Sequence, residues 1–144
     1  MDARQLHGGW DLLAWRIDYD DGRPASFPFG ADASGMLLYT PDGCMSAGIA
    51  RRERAGLGGG SVRHASAGQR AAAFDSYFHY HGTWSVDGGQ VAHTVTGALN
   101  PDFVGTRQVR TATLAGDELE LSAEDLLPGT AVRRRHVLRW RRRV

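Results

Sequence analysis

Apolar and polar residues alternate along this chain in short runs separated by turn residues, the pattern of strands with one buried face. The first run covers residues 9–19 and stops at Asp20-Asp21-Gly22. After a loop with Pro24 and Pro28, Gly35-Met36-Leu37-Leu38-Tyr39-Thr40 reads as a second strand and Cys44 to Ala50 as a third. Pro41-Asp42-Gly43 between them makes a tight hairpin, because proline presets φ and glycine supplies a positive one. Five more strands are predicted over 82–86, 91–98, 106–115, 119–122 and 132–142, with Asp87-Gly88-Gly89 and Ala115-Gly116-Asp117 as hairpin turns. Eight strands in sequence-neighbour order describe an all-β, up-and-down antiparallel barrel.

One segment changes period. Ser66 and Gln69 form a capping box, and Ala71, Phe74, Tyr77 and Phe78 recur at helical spacing behind it. The spacing predicts a helix of about three turns between strands three and four. Ahead of it, Arg51 to Arg63 is glycine-rich and polar, and reads as a lid over the barrel mouth. Its Gly56-Leu57-Gly58-Gly59-Gly60-Ser61 superficially resembles a phosphate loop, but no lysine follows and no βαβ unit surrounds it.

Composition narrows the class. At 144 residues the chain is read as one domain, able to bury roughly two-thirds of its unfolded surface. No apolar run is long enough to span a bilayer, and the N-terminal residues lack the apolar stretch of a signal peptide. The single cysteine, Cys44, excludes an intrachain disulfide and reads as a free thiol. These features lead us to expect a cytoplasmic protein with no membrane partner. All 17 basic residues are arginine, and seven of them stand between Arg133 and Arg143. Such a cluster can bind nucleic acid. Here it alternates with Val132, His136, Leu138 and Trp140, as the charged outer face of a strand would, so no nucleic-acid partner is expected.

The two ends of the chain suggest how a barrel is plugged. Gly8-Gly9-Trp10 opens the first strand, and an arginine of the last strand can stack its guanidinium on that indole. Alternation then assigns the interior. With Trp10 go Leu12, Ala14 and Arg16, although Leu13, Trp15 and Ile17 are also apolar and leave the first strand's parity open. With Trp84 go Tyr80 and Gly82; Val91, His93, Val95 and Gly97 share a face, as do Arg110, Ala112 and Leu114. In the last strand Arg134, His136, Leu138 and Trp140 fall together, opposite a solvent face that includes Val137. His93 as base, Arg110 as anion stabiliser and Tyr80 as proton donor are the candidate catalytic groups. Trp10, Leu12, Arg16, Met36, Leu38, Met45, Trp84, Val95, Asn100, Leu114 and His136 are the candidate ligand contacts. His79 and His81 have a metal-compatible spacing but face outward with no third ligand in register, so no metal is expected. Trp15 and Tyr19, read as exposed, would suit a homodimer or the packing of the helix.

Several of these motifs together carry a resemblance. Gly8-Gly9-Trp10, the hairpin Tyr39-Thr40-Pro41-Asp42-Gly43, Tyr80-His81-Gly82-Thr83-Trp84, Asn100-Pro101-Asp102-Phe103-Val104-Gly105 and the closing Leu138-Arg139-Trp140-Arg141 make the chain similar to the bacterial and fungal lipocalin-like domain family. The resemblance spans almost the whole chain and implies an eight-stranded calycin-type barrel with a central cavity, without implying one activity. Three functions are compatible with such a container. One is binding and release of a small apolar or aromatic metabolite. Another is a cofactor-independent isomerisation, cyclisation or dehydration of such a molecule in bacterial secondary metabolism. The third is a haem barrel resembling the nitrobindins, with His136 or His93 as axial ligand. Asp11-Leu12-Leu13 stands where those proteins carry a glycine-rich pattern, so no cofactor is expected.

Overall fold

Turn chemistry decides where the chain reverses: Gly43, Gly88 and Gly116 each take a positive φ in a short hairpin. The strands they join belong to a closed barrel, which a computed structural model describes for all 144 residues. In chain order the elements are β1 (Gly8–Tyr19), β2 (Ser34–Tyr39), β3 (Cys44–Ala50), α1 (Ala67–Asp75), β4 (Tyr77–Asp87), β5 (Gln90–Ala98), β6 (Arg107–Ala115), β7 (Glu118–Leu126) and β8 (Arg133–Arg142). Each strand pairs antiparallel with its sequence neighbours, and β8 returns to β1. The three short turns lie at one end of the barrel, and the four long connections lie at the other.

The helix sits where expected, between β3 and β4, but is shorter. The capping box at Ser66 and Gln69 is formed, and α1 ends at Asp75. The Ser76 hydroxyl donates to the carbonyls of Ala72 and Ala73, and Tyr77 and Phe78 join β4 opposite Ala50 and Ile49. Pairing with β3 buries Phe78 better than one more helical turn would, so tertiary packing overrides the helical spacing. β7 likewise runs on to Leu126, because its whole length pairs with β8.

At the short-turn end the plug forms as the sequence suggested. Trp10 is fully buried and donates its indole N–H to the Leu6 carbonyl at 3.0 Å. Arg142 stacks 4.3 Å from the Trp10 ring centroid and bonds the carbonyls of His7 and Gln5. The plug thus ties the N-terminal 3-10 turn, Ala3–Leu6, to both closing strands.

Two single-residue bulges change which side chains face inward. Along β1 and β8, Leu12 pairs with Trp140 and Ala14 with Arg139, leaving Leu13 as the extra residue. Trp10 therefore points inward near the floor, while Trp15 and Ile17, not Ala14 and Arg16, do so higher up. Along β4 and β5, Gly82 pairs with Val95 and His81 with Gly97, so Thr96 is skipped and Gly97 shares the outer face with His81.

β8 and the residue after it carry a ladder of ion pairs. Each of the seven terminal arginines has a carboxylate within 4 Å: Arg133 on Glu124, Arg134 on Asp125, Arg135 on Glu120, Arg139 and Arg141 on Glu118, Arg142 on Asp117, and Arg143 on Asp11. Val137, expected on the solvent face, is 0% exposed. Arg135 and Arg139, which flank it on the same face, can cover it with their aliphatic stems.

Gly82 has no room for a side chain: a Cβ there would lie 1.8 Å from the Thr94 carbonyl oxygen. At Gly97 a Cβ would meet only the imidazole of the exposed His81, which can swing away. Urea unfolding should therefore show Gly82→Ala to be destabilised by about 3 kcal/mol or more, and Gly97→Ala by about 1 kcal/mol or less. Equal losses at the two positions would contradict this account of the bulge.

Candidate ligand-binding site

Above the floor the barrel encloses a cavity of about 400 Å³. Trp15, Phe78, Phe103, Leu138 and Trp140 supply much of its wall. Phe103 comes from the β5–β6 connection, and Phe29 from the β1–β2 loop packs behind Trp15 with ring centroids 5.2 Å apart. The indole N–H groups of Trp15 and Trp140 are buried with no partner. The Arg51–Arg63 segment lies at the same end of the barrel, but none of its residues lines the cavity.

The barrel parts on one side of this space. β6 and β7 pair only from Thr111–Ala115 to Glu118–Ser122, so residues 107–110 and 123–126 face each other without a ladder. Gln108, Arg110, Ala123, Glu124 and Asp125 from this split all line the cavity, so the split opens beside it.

His93 is the cavity's one fully buried polar group, 2% exposed, and both its ring nitrogens are engaged. Tyr39 Oη lies 2.6 Å from Nε2 and Tyr80 Oη lies 2.6 Å from Nδ1. The strands set this up: Trp84 pairs with His93, and unbroken alternation along β4 turns Tyr80 to the same inner face as Gly82 and Trp84. Burial, helped by the Arg110 charge, pushes the His93 pKa down to about 3, so the imidazole is neutral. Burial lifts Tyr80 to about 12 and Tyr39 well above its ordinary value; the adjacent Tyr80 raises Tyr39 further, while Arg110 opposes both.

Arg110 stands on the same wall without a carboxylate within 4 Å. Its guanidinium reaches only the Val109 carbonyl at 3.2 Å and Gln108 Oε1 at 3.4 Å. The acids at the cavity mouth are already committed. Asp125 receives two bonds from Arg134, at 2.8 and 2.7 Å, and one contact from His136 at 3.2 Å, while Glu124 faces Arg133.

Of the residues expected at the site, His93, Arg110, Tyr80 and His136 line the cavity. Trp10, Met45 and Trp84 lie in the packed floor, and Trp84 is held there by its N–H bond to the Thr40 carbonyl. Val95 is buried in the core, and Leu12 and Leu114 pack against it. Met36 and Leu38 face the other way, 38% and 40% exposed in a shallow outer groove, because Leu37 and Tyr39 take the inner positions of β2. Arg16 pairs with Asp18 outside the cavity, a consequence of the Leu13 bulge. Asn100 caps the 3-10 turn Pro101–Phe103, accepting from the Asp102 N–H, and is exposed. Trp15 turns into the cavity wall, which removes it from any outer face, and Tyr19 bonds Ser26. Tyr39, Phe78, Phe103 and Trp140 are the important residues that the sequence did not mark as contacts. For Tyr39 the inner parity of β2 was the available signal. No group of three or more His, Cys, Asp or Glu residues is placed to hold a metal.

The buried neutral His93 makes stability depend on pH. Its folded pKa is depressed below the unfolded value near 6.5, so from pH 6.5 down to about 3 the unfolded chain binds a proton that the folded chain refuses. Stability therefore falls as pH falls through that window, by at most about 3 kcal/mol from pH 6.5 to 4.5 on account of this one group. We expect the wild type's stability advantage over His93→Gln, read from urea midpoints, to shrink by that order between pH 7.5 and 4.5. Parallel pH curves for the two proteins would show that His93 is not the group responsible.

No curated protein matches the chain. Among solved structures, an uncharacterized protein from Bacteroides eggerthii is similar at 12% sequence identity and a TM-score of 0.42, over 93% of this chain and 98% of that one. The model of the lipocalin-like domain family matches residues 7–143. That match runs from the residue before the Gly8-Gly9-Trp10 plug to the arginine beyond β8, and the chain belongs to the lipocalin-like domain family.

Proposed function

We propose that the protein holds one small, mostly aromatic molecule in the barrel cavity, with an anionic oxygen of that molecule on Arg110. Arg110 itself is the observation that carries this reading. It is a guanidinium on the cavity wall with no carboxylate partner, in a chain whose seven terminal arginines each have one. A partly desolvated cation costs free energy until it is paired, and an anionic ligand supplies the pair. The indole and phenyl faces of Trp15, Phe78, Phe103 and Trp140 suit a flat apolar body. A cavity of about 400 Å³ lies in the range of small-molecule sites.

Binding follows from this arrangement more directly than proton transfer does. His93 cannot act as a free base while both nitrogens are held by tyrosines and its pKa is near 3. An isomerisation or cyclisation in this cavity would instead draw on Arg110 and Tyr80 to stabilise an enolate oxygen. Haem ligation is disfavoured on the same grounds, since His93 has no free nitrogen and His136 Nε2 is on Asp125.

The test compares 2-naphthoate with its neutral amide, naphthalene-2-carboxamide, through quenching of tryptophan fluorescence. We expect one site per chain and a preference for the carboxylate of about tenfold or more, the scale of a charge-assisted hydrogen bond. In Arg110→Gln the two affinities should converge. A wild type that binds both equally, or a preference that survives in the variant, would refute the assignment.

A further inference from the structure

The hydrogens around His93 can be counted. A neutral imidazole has one N–H and one lone pair, and each tyrosine has one O–H. Three hydrogens thus serve two hydrogen bonds, Tyr39 to Nε2 and Tyr80 to Nδ1, and one hydrogen is left over. If the ring hydrogen sits on Nε2, Tyr39 accepts it and the spare hydrogen is on Tyr39. That phenol is 1% exposed, lies off the cavity wall, and makes no other hydrogen bond. If the ring hydrogen sits on Nδ1, Tyr39 donates to Nε2, Tyr80 accepts from Nδ1, and the spare hydrogen is on Tyr80, which lines the cavity. A sealed, unpaired hydroxyl disfavours the first arrangement by roughly tenfold or more. In the second, the spare hydrogen is where a ligand can meet it.

We infer that Tyr39 is a positioning residue that fixes His93 as the Nδ1–H tautomer, so that Tyr80 offers its O–H to the cavity as a second donor beside Arg110. The site then takes its ligand through an acceptor oxygen, as in a carboxylate, phenolate or enolate. It discriminates against a molecule that brings only donors, because neither Arg110 nor the spare Tyr80 hydrogen can accept. The ligand half of this inference rests on the pocket proposed above; the tautomer half concerns the unliganded protein alone. At neutral pH both phenols keep their protons and the imidazole is neutral, so the donor is always present.

Nitrogen-15 NMR of the histidine side chains, with His93 assigned by its loss in His93→Gln, reads the tautomer directly. A protonated Nδ1 and a bare Nε2 are expected, and a ring protonated at Nε2 overturns the inference. In Tyr39→Phe the ring signals should move toward a mixture of tautomers. Affinity for 2-naphthoate should then fall several-fold, while that for naphthalene, which has no oxygen, stays constant. Tyr80→Phe should cost about tenfold for 2-naphthoate and nothing for naphthalene, and it carries the ligand test if Tyr39→Phe does not fold. An undiminished response to the carboxylate in Tyr80→Phe overturns the donor role of Tyr80 while leaving the pocket intact. Failure of both probes to bind the wild type overturns the pocket and the ligand half together, and leaves the tautomer to the NMR result.

Discussion

A strand paired on both sides can send only alternate side chains inward, yet β1 must supply both a floor and a wall. Trp10 has to enter at the plug and Trp15 at the cavity, five residues apart, which strict alternation forbids. The extra residue at Leu13 removes the conflict by shifting the register between Leu12 and Ala14. The rest of the interior depends on that step. Without it, Arg16 would replace Trp15 and Ile17 on the inside, placing a second cation in the wall and taking an indole out of it. The skip at Thr96 does the same for β5, carrying the inner face from Val95 to Ala98, which then pairs with Tyr80.

Charge is distributed with the same economy. Arginine is the chain's only basic residue apart from histidine, and its seven terminal copies meet carboxylates of β7, of the turn before it or, across the closing seam, of β1. Exposed pairs of this kind each add little to stability. Together they keep the last strand from presenting bare positive charge. Arg142 is the member that turns toward the plug, where it stacks on Trp10. Arg110 is different in kind. It sits where the β6–β7 ladder has stopped, near acids already engaged by Arg134, His136 and Arg133.

Much of this was legible in the sequence because turn residues and alternation are local signals. The eight strands, the three hairpins and the position of the helix follow from Pro41-Asp42-Gly43, Gly88, Gly116 and the Ser66–Gln69 capping box. Alternation within a strand also carried His93, Arg110, Tyr80 and His136 to the cavity. It failed wherever the chain inserted one residue, since a bulge at Leu13 or Thr96 leaves no distinctive residue type behind. Met36 and Leu38 were misplaced for a simpler reason. β2 is apolar on both faces, and only its pairing with β1 and β3 shows that Leu37 and Tyr39 are the inner pair. Tyr39 escaped notice because its significance is a distance to a residue 54 positions away.

The character of the site turns on how firmly its protons are held. Burial pushes His93 down to about 3 and Tyr80 up to about 12, so both shifts oppose moving a proton from the phenol to the imidazole. Burial also holds Tyr39 well above its ordinary value, so it is no better a source. The trio is therefore a fixed line of dipoles and not a relay. In the proposed site a fixed donor next to a fixed cation would need no rearrangement when an oxygen arrives, and would discriminate between ligands by charge and by acceptor geometry. The same property sets the limit on chemistry here. Such a wall can stabilise negative charge as it develops on an oxygen, but the proton that creates that charge must leave by a group other than His93.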